Sequence, residues 1–355
     1  MGKMHFWELP KETMTLLRGN SSFIKIEGVD KSKEHLIEKI KFRKIGKPIS
    51  IIFPINFLIE EWAVITGALL SEGSIFDKQG IGFWNKDPEL MEKFIKILKK
   101  VVKSGFREDK DNFGCLLPQI FTKILNTGLE LKSGDKIKND IGVPEIFLNS
   151  DDEKLSSALL SWLFSGDGWI TVFKDHLNQL HRAIGIGFCS IEKDKISRLL
   201  SDTTKMLDKF DIRFSRPFQE IGVTKRGVIF FNWKIFIKGK NNLIKFRDKI
   251  NFQTKSKREI LDKAIASFVR PKRSDNESLF LVADAVRESC FEFGFSTKHD
   301  VMQLTDLKES WVLRLLKKAL DKGMIKVIGG GNRRVGFRGG RYPYFYGIKT
   351  ECEKI

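Results

Sequence analysis

Apolar and polar positions alternate along this chain in two periods, one of strands and one of helices, and the order of the two repeats. Residues 74–76 and 80–85 read as strands joined by the polar turn Asp77-Lys78-Gln79-Gly80. A helix follows: Asp87 can cap it, Pro88 suits its first turn, and Leu90, Phe94, Ile97, Leu98 and Val101 recur at helical spacing. A second hairpin is expected over 106–117, then a short helix from Pro118. Further on the same order returns, with a strand at 170–173, a longer turn, a strand at 183–190, a helix over 193–210, strands around 212–218 and 228–237, and a final helix from near Asn241. Ile81-Gly82-Phe83 and Ile186-Gly187-Phe188 hold equivalent places in the two halves, which makes duplication the better reading.

The flanks differ. Residues 1–50 show weak periodicity, with Leu36, Ile37 and Ile40 hinting at a short helix before Gly46-Lys47-Pro48, so this stretch reads as an arm or a brace. Residues 269–276 are polar, contain Pro271 and read as a linker. Beyond it, helices are expected over 279–293, 298–304 and 309–322, the last ended by Gly323, then strands over 324–328 and 342–349 around a glycine-rich basic stretch. Three helices and such a hairpin resemble a winged helix-turn-helix domain. Lys308, Ser310 and Arg314 on its third helix, with Arg333, Arg334, Arg338 and Arg341 in the wing, are its candidate DNA contacts.

Composition narrows the function. The 355 residues are 41% hydrophobic, enough for packed cores, and the net charge of +18 points to a polyanionic partner. No apolar run approaches the ~20 residues of a spanning helix and no signal-peptide core opens the chain, so a membrane partner is not expected and an intracellular, cytoplasmic protein is. The four cysteines are scattered without a Cys-x-x-Cys pair, which argues against a zinc site or a disulfide framework. His176 and His181 fall in a predicted turn and carry no assigned chemistry.

Two apolar runs carry the chemistry. Ile65-Thr66-Gly67-Ala68-Leu69-Leu70-Ser71-Glu72-Gly73 and Leu160-Ser161-Trp162-Leu163-Phe164-Ser165-Gly166-Asp167-Gly168 each end in an acid and a glycine. Gly67, Ala68 and Ser71 in the first, and Ser161, Ser165 and Gly166 in the second, would let two helices approach closely. One such run is commonplace, because glycine often follows a helix end, but two at domain spacing are not. Helices packed side by side would bring Glu72 and Asp167 together, where like charges repel unless a divalent cation neutralises them.

On these paired motifs the chain resembles the LAGLIDADG endonucleases, over roughly residues 50–265. The resemblance implies an α+β fold with two pseudo-symmetric αββαββα repeats forming a DNA-binding saddle, to which the winged helix is added. The expected organisation is an N-terminal extension (1–50), a first repeat (51–150), a second repeat (151–268), a linker (269–276) and the C-terminal domain (277–355). It further implies a monomer with internal pseudo-two-fold symmetry that cuts double-stranded DNA, with Mg²⁺ or Mn²⁺ held by Glu72 and Asp167 beside Gly73 and Gly168. A lysine outside each motif is expected to polarise the solvent. The matching stretches are Lys136-Ile137-Lys138 and Thr254-Lys255-Ser256-Lys257, from which Lys138 and Lys255 are chosen. On the saddle, alternation along residues 231–238 turns Asn232, Lys234 and Lys238 away from the core toward DNA.

Three departures from the family pattern stand out. Glu72 replaces Asp, Trp162 replaces a small residue at the motif position that Gly67 holds in the first run and so works against close helix contact there, and a winged helix is not a usual part of a minimal homing endonuclease. The chain ends, Met1-Gly2 and Glu353-Lys354-Ile355, lack the marks of an intein, so a free-standing nuclease is expected. A DNA-binding regulator on the same scaffold and an RNA-splicing maturase are the rival functions.

Overall fold

The computed structural model describes residues 2–5, 8–9, 23–27, 39–43, 49–77, 80–102, 107–109, 114–174, 180–223, 229–268, 274–330 and 344–348. The fold is mixed α+β. At the N-terminal end lie β1 (Lys3–Met4), β2 (Phe23–Glu27), β3 (Lys39–Arg43), β4 (Ile49–Ile52) and β5 (Ile55–Asn56), with β2-β3-β4 forming one antiparallel sheet and β1 paired with β5. Ile40 therefore lies in a strand where a short helix was expected. Met4, Ile51, Phe53, Ile55 and Phe57 join the main core, so part of this segment braces the body behind it.

Next come α1 (Glu60–Ser71), β6 (Gly73–Phe76), β7 (Gly80–Trp84), α2 (Pro88–Val101), β8 (Arg107–Asp109), β9 (Gly114–Leu117), α3 (Gln119–Leu129) and a single turn, α4 (Glu145–Leu148). The order then returns as α5 (Glu153–Asp167), β10 (Trp169–Lys174), β11 (Leu180–Ser190), α6 (Arg198–Asp208), β12 (Phe218–Val223), β13 (Ile229–Lys238) and α7 (Lys240–Lys249), followed by α8 (Lys255–Ala266). Each half builds a four-stranded antiparallel sheet, β6-β7-β9-β8 in one and β10-β11-β13-β12 in the other, so the second strand of each hairpin lies at the sheet centre. Ile81 and Phe83, like Ile184, Ile186, Ile235 and Ile237, turn inward and are buried.

Local signals set the boundaries. Asp87 accepts from the N–H groups of Glu89 and Leu90 and starts α2 at Pro88. The helix expected over 193–210 begins only at Arg198, because Asp194 takes a left-handed conformation (φ 62°) and the Ser197 hydroxyl caps the Leu200 N–H. The strand expected around 212–218 starts at Phe218. Before it, Ser215 ties to Phe236 through one backbone bond and one side-chain bond rather than a ladder. Helix α8 was not foreseen.

Helices α1 and α5 pack directly on each other at the centre of the body. At Gly67 a Cβ would fall 2.3 Å from the Leu159 carbonyl oxygen and 3.1 Å from the Trp162 Cβ, so only glycine permits this approach. The large residue at 162 does not hold the helices apart, contrary to expectation. Its ring leaves the contact for the first half's core, against Phe83 (6.4 Å) and Phe94 (5.8 Å). Ser161 and Ser165 face a different strand of chain: the Ser161 hydroxyl donates to the Asn251 carbonyl, and Gln253 donates to both serine oxygens.

The C-terminal region has its own core, built from Leu279, Val282, Val286, Val301, Val312, Leu315, Leu316 and Ile325. It contains α9 (Asp275–Phe293), α10 (Lys298–Thr305), α11 (Glu309–Asp321) and the antiparallel pair β14 (Ile325–Gly329) and β15 (Phe345–Ile348). Capping boxes at Ser274/Glu277 and Thr297/Asp300 start α9 and α10. Helix α9 thus takes up the last two residues of the stretch read as linker. This region meets the second sheet through polar bonds: Lys238 pairs with Glu288 and Glu292, and Arg213 pairs with Asp300. Among the described residues no helix is long and apolar enough to cross a membrane.

Candidate active site at the paired helix ends

Each central helix delivers a carboxylate where its hydrogen-bond ladder stops. Glu72 caps the C-terminus of α1 and is exposed; Asp167 is the last residue of α5 and is half-buried, followed by Gly168 as the cap. The helices remain in contact to this end, since a Cβ on Gly166 would fall 2.4 Å from the Ser71 Oγ and 3.2 Å from the Glu72 Cγ. Burial pushes the Asp167 carboxyl up to about 6; Lys136 pulls it down, Glu72 adds to the rise and Lys257 opposes it. The two acids named from the sequence are therefore brought together.

A lysine lies at each helix end, but the neighbour of the one chosen from sequence. The Lys136 ammonium donates to the Ser71 carbonyl (2.6 Å) and the Leu70 carbonyl (3.1 Å) at the end of α1. Lys257 donates to the carbonyls of Ser165 (2.6 Å), Gly168 (2.7 Å) and Phe164 (3.4 Å) at the end of α5. Both satisfy carbonyls that a helix leaves without partners, and both carry positive charge to the negative end of the helix dipole. Burial drives Lys136 down to about 8 against the attraction of Asp167 and Glu72, and lowers Lys257 in the same way. Lys138 is exposed, and Lys255 reaches only toward Glu259 at 3.8 Å with a side chain 76% exposed. Their positions explain the difference. Asp135 takes the backbone N–H groups of Ile137 and Lys138 and folds a turn that leaves Lys136 inward, while Lys257 sits one half-turn beyond Lys255 on α8.

The donor set suits a small hard cation. Among the described residues no ion pair engages Glu72 or Asp167, and no third His, Cys, Asp or Glu joins them. Two carboxylates with open positions fit Mg²⁺ or Mn²⁺, which retain waters and take up phosphate oxygens, and do not fit a closed zinc site. Gly168 contributes its carbonyl to Lys257, and Gly73 is buried at the start of β6 opposite Phe83. The carboxylates are thus the donors that the geometry presents.

The sheet face away from the core adjoins this site. Cys189 lies on it, and its thiol is pushed up by burial and further by Asp167. Asn232 and Lys234 are on the same face, opposite the buried Ile235 and Ile237, as alternation predicted. Lys234 is paired with Glu220 and stands over the Trp169 ring (5.7 Å). Lys238, expected to face DNA, instead has its ammonium enclosed by Glu288 and Glu292 of α9, so it joins two parts of the protein and is not presented to a phosphate. Aromatic rings, unforeseen from sequence, cover glycines on these faces. Trp84 lies over Gly82 and Gly114, and Trp169 over Gly185. On α11, Ser310 is exposed, Lys308 is the N-terminal cap, and Arg314 stacks on Trp311 (4.2 Å) while pairing with Asp275 (3.4 Å). Arg333, Arg334, Arg338, Arg341 and His176 lie outside the described residues. His181 stacks on Phe173 in the second sheet.

No family model matches the chain. Over 167 residues it is 29% identical to a DNA polymerase of Methanocaldococcus jannaschii, a stretch covering 44% of this chain and 9% of that protein. Among solved structures it is similar to the homing endonuclease I-WcaI bound to its DNA recognition sequence (13% identity, TM-score 0.35, 57% of this chain and 85% of that one). It is also similar to the LAGLIDADG meganuclease I-AabMI bound to uncleaved DNA (13% identity, TM-score 0.33, 73% of this chain and 97% of that one).

Proposed function

We propose that this chain is a site-specific double-strand DNA endonuclease of the LAGLIDADG type, acting as a monomer whose two halves are related by a pseudo-two-fold axis between α1 and α5. The observation that carries the reading is the meeting of Glu72 and Asp167 at the ends of two packed helices, each end with a half-buried lysine on its last carbonyls. The lysines satisfy the last helix carbonyls, but burial works against the charges of Asp167, Lys136 and Lys257 alike, and charged groups kept together at that cost support a role in chemistry. The net charge of +18 supports a polyanionic substrate.

Glu72 and Asp167 would hold Mg²⁺ or Mn²⁺, which when bound neutralises charge on the scissile phosphate and acidifies a water. Lys136, lowered by burial to about 8, would polarise the attacking water and could return a proton to the leaving oxygen. Lys257 takes the corresponding role at the other helix end. Asn232 and Lys234 meet DNA on the sheet face. The C-terminal three-helix unit with its hairpin serves as a winged helix, with Lys308, Ser310 and Arg314 toward DNA.

The test is incubation of the protein with a randomised duplex library and Mg²⁺, beside Glu72→Gln and Asp167→Asn. The wild type is expected to yield double-strand breaks at a selected sequence, and the variants to bind without producing them. Binding without cut product in every sample would identify a DNA-binding regulator instead.

A further inference from the structure

Each lysine segment is held by the opposite half of the protein. Helix α8, which carries Lys257, lacks a cap of its own: its N-cap residue Thr254 makes no side-chain bond to the first turn. The missing acceptor comes from α2 in the first half, where the Glu89 carboxylate accepts the Lys255 backbone N–H at 2.7 Å and the Arg258 guanidinium at 3.3 Å. Lys93, bonded to Glu89 at 2.7 Å, also donates to the Gln253 carbonyl just before that turn. Lys257 lies two residues beyond the capped N–H. The capping carboxylate also meets the positive end of the helix dipole.

The reciprocal brace joins α6 in the second half to the loop after Lys136. Asp202, whose side chain is 3% exposed, accepts the Val143 N–H at 3.1 Å, and Gly142 lies so close that a Cβ there would meet the same oxygen at 2.4 Å. The loop answers through Asp140, which accepts the Arg198 N–H at 3.0 Å and pairs with Lys195 at 3.4 Å. Helices α2 and α6 hold the same place in their respective halves, each the first helix after its hairpin.

We infer that Glu89 and Asp202 are positioning residues that act across the two halves, Glu89 setting Lys257 and Asp202 setting Lys136, so that neither cleavage centre is complete without the other half. The inference rests on the endonuclease reading for its consequence in cleavage, but the bracing itself is a property of the fold. A backbone segment anchored at one point by a side chain loses local order when that bond is removed, while the distant segment does not.

Two measurements on the full chain test it. In the first, amide hydrogen exchange is followed with no DNA present. Glu89→Ala should speed exchange at residues 255–258 at least ten-fold and leave 136–143 unchanged, whereas Asp202→Ala should do the reverse; Glu89→Gln and Asp202→Asn, which keep an acceptor, should restore most of the protection. In the second, a supercoiled plasmid bearing the selected site is cut and the nicked strand is sequenced. Glu89→Ala should slow one strand about ten-fold with the other within two-fold, and Asp202→Ala should slow the opposite strand. Equal slowing of both strands by either variant, or unchanged exchange in both segments, overturns the inference. If the wild type cuts nothing, the endonuclease reading falls, and exchange alone decides whether the brace exists.

Discussion

The two central helices end alike in sequence and differently in surroundings. Glu72 stands at the end of α1 with its carboxylate exposed, while Asp167 ends α5 half-buried, its carboxyl pushed up to about 6. The contact between the helices is equally uneven. At Gly67 the facing atom is the backbone carbonyl oxygen of Leu159, whereas at Gly166 it is the side chain of Ser71. What the two ends share is a lysine on the final carbonyls and a carboxylate beside it. The two ends thus share their charged groups and differ in the contacts that pack them. The longer, exposed Glu72 and the shorter, half-buried Asp167 present their carboxylates in unequal surroundings.

The sharpest way to break the comparison is at the lysines. Lys136→Met removes the cation from the end of α1 and should lower cleavage on the order of 10³-fold, within the range for loss of a general acid–base group. Lys257→Met should do so at the end of α5. Lys138→Met and Lys255→Met, altering exposed residues next door, should leave the rate within about two-fold. Single-turnover cleavage of a plasmid site distinguishes these outcomes. Equal losses at 136 and 138 would mean that net charge, and not place, is what these lysines contribute.

The helix contact offers the next largest effect. Gly67→Ala drives a methyl into the Leu159 carbonyl, which cannot move without shifting α5, and a destabilisation of about 3 kcal/mol is expected. Gly166→Ala meets the Ser71 Oγ at 2.4 Å, which can rotate away from the Gly67 and Ala68 carbonyls, and the Ser71 Cβ at 2.6 Å, which gives only by a small shift of the end of α1, and about 2 kcal/mol is expected. Urea titration of both variants measures the difference. A smaller cost at Gly67 than at Gly166 would show that α5 yields more easily than α1.

The sequence carried what is local or repeated. Asp87-Pro88 marked a helix start because the cap lies within a few residues, and the two acids stood out because an apolar run with the same ending occurs twice. Choosing between Lys136 and Lys138 required knowing that Asp135 folds the turn and that α1 ends above it, which are contacts across some 65 positions. Lys238 was placed on the correct face by alternation, yet its partners are Glu288 and Glu292 on α9. Their spacing of four is a readable signal of an acidic helix face in need of a cation, but nothing local says which cation. The aromatic cover on the glycines of the sheets was equally hidden, because the Trp169 ring crosses to Gly185 on the neighbouring strand.

The effect predicted at Asp167 runs in the opposite direction to the others. An acid whose pKa is raised on folding, here from 3.8 to about 6, binds its proton more tightly in the folded chain. Its ionisation therefore costs nothing below about pH 3.8, costs progressively more up to about pH 6, and is fully unfavourable above that. Asp167→Asn removes the cost, so with chelator present the variant should be more stable than the wild type at pH 7 by about 1–2 kcal/mol, a figure reduced for the partial exposure of the carboxyl. The gain should vanish by about pH 4. Glu72→Gln, at the exposed end, should change stability by less than about 0.5 kcal/mol at either pH. Denaturation at pH 4 and pH 7 reads both variants on the same axis. If Asp167→Asn proved less stable at pH 7, the carboxylate would be a structural anchor held by Lys136 and Lys257, and the argument that its burial is tolerated for chemistry would fail. If it were more stable and also unable to cut, the burial of Asp167 would be an expense the fold bears for cleavage.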